Sequence, residues 1–147
     1  MPVVAMDASA LMTPVELEVR VFDELERLLG DAELVTPRAV LAELERLAEG
    51  DGGSREARAA RVGLDLAGER CRAVEPVAAP GGDAGDENAT AASGAPDTGD
   101  DALVALARSG AVDYVVTNDR ALRDRLLSAG VPVIGVRGRS TLAVTVP

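Results

Sequence analysis

The chain has 147 residues, a formal net charge of -10 and no histidine, and its 15 basic residues are all arginine. Its length suits one domain with a substantial core, and its 47% hydrophobic content marks a globular chain. Without histidine or lysine, the sequence excludes a Ser-His-Asp triad, a Cys-His pair, a histidine zinc site, a P-loop lysine and Schiff-base chemistry. Carboxylate, hydroxyl, arginine and metal chemistry remain.

In chain order, residues 3–6 read as a short buried strand with Asp7 at its carboxyl end, followed by a loop or helix start over Ala8-Ser9-Ala10-Leu11. Val15, Val19, Phe22, Leu25 and Leu29 recur at helical spacing and predict a helix over 14–29, stopped by Gly30-Asp31. A short strand is expected at 33–35. Thr36 then reads as an N-cap, with Pro37 as the first residue of a helix running to about residue 49. Ser54 caps a third helix over 55–69, on which Arg55, Arg58 and Arg61 share a face. Residues 71–77 read as a strand. Residues 78–99 lack periodicity and read as a flexible acidic insertion within the single domain. A helix over 100–109, a strand over 113–117, a helix opened by Asn118-Asp119 and running to residue 128, a strand over 132–136 and a final edge strand over 142–146 complete the chain. Strands alternating with helices predict an α/β fold with three α/β/α layers and a mostly parallel central sheet.

Aromatic residues make up 1% of the chain, so the core is expected to be Val, Leu, Ala and Met. Cys71 is the single cysteine, which rules out an internal disulfide or a cysteine metal cluster. The N-terminus lacks a basic region and a long apolar run, and no stretch approaches a membrane span, so a cytoplasmic location is expected. Six acids and no basic residue lie between Gly81 and Asp101. Lysine-poor, acid-rich composition suggests a halophilic host. An acidic chain is a poor candidate for nucleic-acid binding, but in strong salt phosphate attraction is screened anyway, and any such binding would depend on metal bridges and local arginine clusters.

Ligands in open parallel sheets sit beyond the carboxyl ends of the strands. Asp7 ends the first strand and Asp119 follows the strand containing Tyr114, so both belong to one rim. Asp100 or Asp101, at a helix start, can join them, whereas Asp113 lies at the far end. Val40, Leu41, Leu44 and Leu47 define a buried stripe, and Glu43 stands at its border. Carboxylates brought together repel unless a cation neutralises them, and hard Mg2+ or Mn2+ suits an all-oxygen shell. Ser9, Thr117 and Asn118 are candidate supporting residues. Taken singly, Asp7 also reads as a turn cap, Glu43 as a solvated helix residue, and Asp100, Asp101 and Asp119 as helix-start acids.

Four segments, in order, carry a resemblance. They are Val3-Val4-Ala5-Met6-Asp7-Ala8-Ser9-Ala10-Leu11, Val35-Thr36-Pro37-Arg38-Ala39-Val40-Leu41-Ala42-Glu43-Leu44, Gly99-Asp100-Asp101-Ala102-Leu103-Val104-Ala105-Leu106-Ala107 and Val115-Val116-Thr117-Asn118-Asp119-Arg120-Ala121-Leu122. With these the chain resembles the PIN-domain nuclease family. The resemblance implies a Mg2+- or Mn2+-dependent endoribonuclease with Asp7, Glu43, Asp100 and Asp119 as its acids and Asp7, Asp100, Asp101 and Asp119 as candidate metal ligands. Leu103 and Ala107 favour Asp100 over Asp101 as the third acid. The segment Val133-Ile134-Gly135-Val136-Arg137-Gly138-Arg139-Ser140 is similar to the archaeal branch of ribosomal-RNA processing nucleases, and VapC-type toxins share the core.

Arg120, Arg137 and Arg139 are the expected RNA contacts. The resemblance also admits a homodimer, and an antitoxin or a ribosome-assembly partner. A non-catalytic PIN-like binding module is the alternative of a different class. A phosphatase of Rossmann-like fold is disfavoured, because Asp7 is followed two residues later by Ser9 rather than a second Asp.

Overall fold

The computed structural model describes residues 1–50, 53–75 and 98–147. Its elements are β1 (Val3–Met6), α1 (Ala8–Glu16), α2 (Val21–Leu29), β2 (Glu33–Pro37), α3 (Arg38–Ala48), α4 (Arg55–Arg70), β3 (Arg72–Val74), α5 (Gly99–Ser109), β4 (Tyr114–Val116), α6 (Arg120–Ser128), β5 (Val133–Arg137) and β6 (Thr141–Thr145).

The strands form one sheet in the order β3-β2-β1-β4-β5-β6. At its centre, Ala5 stands beside Val35 of β2 and Val115 of β4. Every pairing is parallel except that of β5 with β6, where Gly135 faces Ala143. The chain steps outward from β1 to β2 and β3, then crosses back to β4 and steps outward the other way. The direction of winding therefore reverses between β1 and β4, and such a reversal opens a crevice at the strands' carboxyl ends. α1 and α3 pack on α4, and α5 packs on α3 and α6, giving the expected three-layer α/β fold.

The core is aliphatic. Val4, Ala5, Met6, Leu11, Leu44, Leu103, Leu122, Leu126 and Ile134 are fully buried. β1 carries no polar face because it is covered on both sides, which explains its unbroken apolar run.

Several boundaries differ from expectation, each for a physical reason. The helix predicted over 14–29 is two helices. Val19 and Val21 are both buried, and placing both inward takes an extended step that one continuous helix cannot supply. Glu18 between the helices takes a positive φ of 56°. Thr36 does not cap α3. It is buried within β2, and its hydroxyl donates to the Met6 carbonyl at 3.0 Å. Pro37 is the residue before α3 and makes no side-chain cap bond.

α5 begins at Gly99, one residue earlier than predicted. Its N-cap is Thr98, whose hydroxyl accepts the Asp101 N–H at 3.0 Å. Thr98 and Gly99 therefore belong to the folded body, and the rest of the expected insertion lies outside the described residues, as do the last two residues of the strand expected over 71–77.

Candidate active site

Asp7 sits at the mouth of the crevice. Its N–H donates to the Val116 carbonyl at 3.2 Å, which continues the β1–β4 pairing one residue past the strand. Its side chain turns back to cap α1, with Oδ1 accepting the Ala10 N–H at 2.7 Å. The Ser9 hydroxyl lies 2.8 and 3.0 Å from the two carboxylate oxygens, and the Thr117 hydroxyl donates to Oδ2. Asp7 is only 4% exposed. Burial pushes its pKa from an ordinary 3.8 up to about 6, overcoming bonds from Thr117, Ala10 and Ser9 that favour the charged form, and the nearby charge of Asp100 adds to the rise.

Ser9 and Thr117 hold the opposite wall of the crevice as well. The Ser9 hydroxyl accepts the Asn118 N–H at 3.1 Å, and the Thr117 hydroxyl accepts the Asp119 N–H at 3.0 Å. Each hydroxyl thus ties Asp7 to the turn after β4. Asn118 extends this tie. Its amide nitrogen donates to Thr13 at 2.8 Å and its amide oxygen accepts the Val136 N–H at 3.1 Å, joining α1, the turn and β5. Gly135 permits this closeness, because a Cβ there would stand 2.9 Å from the Thr117 carbonyl. Asp119 is exposed, and its Oδ1 caps α6 by accepting the Leu122 N–H at 3.0 Å.

Glu43 and Asp100 meet across α3 and α5. Glu43 is half-buried on the stripe border, and its carboxylate accepts a bond from the Gly99 N–H at the start of α5. A Cβ on Gly99 would lie 3.0 Å from Glu43 Oε1 and 2.9 Å from Val40 Cγ2, so glycine makes the contact fit. Burial raises the Glu43 pKa first, the Asp100 charge raises it further, and Arg46 opposes. Asp100 is also raised, first by burial and then by Asp119, with Arg125 opposing and Asp101 adding. Asp7, Glu43, Asp100 and Asp119 therefore lie within electrostatic reach of one another through Asp100. Asp101 points elsewhere: its Oδ1 pairs with Arg125 Nη2 at 3.0 Å. Asp113 lies at the opposite end of the sheet, where its Oδ2 accepts the Val3 N–H at 2.8 Å.

The four acids do not close into a tight cluster. Among the described residues, no three acidic side chains converge on a point that could hold one ion. The reason is local satisfaction: Asp7 and Asp119 spend oxygens on helix caps, and Glu43 on the Gly99 N–H. The donor chemistry still fits a hard divalent cation. It is all oxygen, it accumulates like charges that raise one another, and Mg2+ keeps several waters and takes one or two carboxylates directly.

The expected arginines separate. Arg120 and Arg137 line a groove of about 270 Å³ that begins at Thr117, Asn118 and Asp119, whereas Arg139 lies beyond it, exposed after β5. Arg123, one helical turn from Arg120, joins them in the groove and escaped the sequence reading. So did Thr13, Gly99 and Gly135. Arg123 was findable from its i+3 spacing, but the two close approaches at glycine become visible only with the fold. On α4, Arg55 donates to the carbonyls of Val15 and Glu16, and Arg61 to that of Ala48, so this stripe ties down helix ends. Burial pushes the Cys71 thiol up to about 12, far from nucleophilic use. No helix among the described residues is long and apolar enough to cross a membrane.

Comparison with known proteins gives this geometry a family. The PIN domain endonuclease Utp24 shares the fold at a TM-score of 0.69 and 21% identity, over 99% of this chain and 92% of that one. VapBC2 from Rickettsia felis, in a structure bound to a DNA fragment from their promoter, shares it at 0.57 and 16%, over 90% of this chain and 98% of that one. At such identities these likenesses speak of fold alone. Among curated proteins, none matches in sequence. The model of the PIN like domain matches residues 4–139, nearly the whole length of the sequence. On that match and that fold, the chain belongs to the PIN-like domain family.

Proposed function

We propose that this protein is a metal-dependent endoribonuclease that hydrolyses RNA phosphodiester bonds at the rim formed by Asp7, Glu43, Asp100 and Asp119. The observation that carries the reading is the placement of these acids around one strand rim, with Asp7 buried there among the hydroxyls of Ser9 and Thr117. Burial first, and neighbouring carboxylates after it, raise Asp7, Glu43 and Asp100. Family membership supports the same chemistry.

Asp7, Asp100 and Asp119 are the residues that would hold Mg2+ or Mn2+, with Asp101 committed to Arg125. Such a cation, when bound, supplies the positive charge that lets these acids ionise together, an activated water and stabilisation of the phosphoryl oxygens. The chain's own residues supply position and proton handling. Ser9 and Thr117 fix the Asp7 carboxylate from two sides. Glu43, whose pKa burial and then the Asp100 charge raise from its ordinary value, is the candidate to exchange a proton with water at the rim. Arg120, Arg137 and Arg139 offer contacts to the RNA backbone.

The reading extends to processing of ribosomal RNA, supported by the C-terminal segment of residues 133–140. A second reading, admitted by the resemblance of the core to VapC-type toxins, is a toxin ribonuclease held by an antitoxin. The test is cleavage of a mixed, structured RNA by the purified protein in high salt, with and without Mn2+ or Mg2+, beside Asp7→Asn. Metal-dependent cutting that the variant lacks is expected. A wild type that neither cuts nor binds metal would replace this reading with that of a binding module.

A further inference from the structure

Three arginines, Arg120, Arg123 and Arg137, line the groove that starts at Asp119. Arg120 and Arg137 are exposed, and Arg123 has only a loose contact with Asp124, at 3.8 Å. The other side of the acidic rim has a different balance. There Arg125 is paired with Asp101 and Arg46 sits beside Glu43, while Arg38 stands exposed at the start of α3. Among the described residues, the groove is where three arginines stand together without a close acid partner, so a polyanion leaving the rim along it meets concentrated positive charge.

The groove's volume, about 270 Å³, is at the small end of ligand clefts and suits a single nucleotide rather than a folded element. Its floor is made of short side chains, Gly135 and Ala143 facing each other across β5 and β6. No aromatic residue lines it, so stacking cannot select a base. Asn118, the one amide among the described residues of its wall, is fixed in orientation by its bonds to Thr13 and Val136 and cannot turn to suit different base edges. Leu17, half-exposed, adds an apolar contact at the mouth.

We infer that this groove is a base-tolerant subsite for the nucleotide next to the scissile phosphate, with Arg123 and Arg137 holding the flanking backbone phosphates. The inference rests on the nuclease reading for its orientation toward Asp119, but the binding it describes can be measured without cleavage.

The experiment is fluorescence anisotropy of labelled ten-nucleotide oligo(U) and oligo(A) RNAs with the full chain in EDTA, at several salt concentrations. The double variant Arg123→Ala/Arg137→Ala is expected to bind at least about tenfold more weakly and to flatten the salt dependence by about one to two in log-log slope. A control of equal charge, Arg58→Ala/Arg108→Ala, removes two exposed arginines outside the groove and is expected to change affinity by less than about threefold. Ala143→Leu, which fills the floor, is expected to weaken binding several-fold with the salt slope unchanged. The two RNAs are expected to bind within about threefold of each other.

Absence of binding by the wild type, equal losses in the groove and control variants, or more than tenfold discrimination between the RNAs would overturn the subsite. Cleavage assays separate this failure from that of the nuclease reading. A wild type that cuts while its binding ignores Arg123 and Arg137 removes only the subsite. A wild type that binds through the groove and cuts nothing removes only the nuclease.

Discussion

Asp7 and Asp113 flank the same pair of adjacent strands at opposite ends, and each accepts a backbone N–H, from Ala10 and from Val3 respectively. Asp113 is exposed, and its bond joins two strand starts that face water. Asp7 is buried at the point where the winding reverses, among hydroxyls and within reach of Asp100. The same residue type making the same kind of bond is a structural pin at one end and a stressed charge at the other. Location relative to the crevice, rather than hydrogen bonding, makes the difference.

Substitution at Asp7 is the sharpest way to break the comparison. Asp7→Asn is expected to lower RNA cleavage by roughly 10²- to 10⁴-fold, read as initial rates in saturating Mn2+, while Asp113→Asn leaves cleavage unchanged. The second effect is on stability. The Asp7 carboxyl ionises at about 6 in the fold and near 3.8 when unfolded, so its contribution is most favourable below about pH 4 and is lost as pH rises through 6. A shift of about two units corresponds to about 3 kcal/mol at most. Denaturant unfolding in EDTA should therefore find the Asp7 contribution to wild-type stability growing as pH falls from about 6 toward 4, and Asp7→Asn flattening that trend.

Thr117 tests how the two walls are joined. Thr117→Val keeps the shape and removes both the donor to Asp7 and the acceptor for the Asp119 N–H, and it is expected to cost about 1–3 kcal/mol by chemical denaturation. Thr117→Ser should restore most of it. Gly99→Ala pushes a methyl against Val40 and Glu43, and a cost of about 1–2 kcal/mol is expected, together with slower cutting as Glu43 leaves the Gly99 N–H. At the small end, Asp113→Asn retains an oxygen for the Val3 N–H and should alter stability by less than about 0.5 kcal/mol.

Much of this was legible in the residues. The all-apolar run of residues 3–6 announces a doubly covered strand, and Asp7 and Asp119 each follow a strand closely enough to share its carboxyl rim. The wheel argument placed Glu43 at a stripe border, where it is found half-buried. What the sequence could not convey were interactions made by the fold itself. The break between α1 and α2 follows from burying Val19 and Val21 together, a demand of tertiary contact that overrides helical spacing. Thr36 carries an N-cap signature, yet the Met6 carbonyl of the neighbouring strand claims its hydroxyl. Adjacent Asp100 and Asp101 are told apart in the sequence only by the spacing of Leu103 and Ala107, whereas the fold separates them by the ion pair of Asp101 with Arg125. Arg137 and Arg139 look equivalent until the groove ends between them.

At the centre of the account is a rim of carboxylates, partly buried, whose charge a divalent cation neutralises. Thermal unfolding of the wild type and Asp7→Asn at pH 8, in EDTA and in millimolar Mn2+ or Mg2+, tests it directly. The account predicts a reversal: the variant melts higher in EDTA, and the wild type rises with metal by several degrees, to match or overtake a variant that gains little. Melting temperatures that ignore the metal, or that rise equally in both proteins, would contradict it.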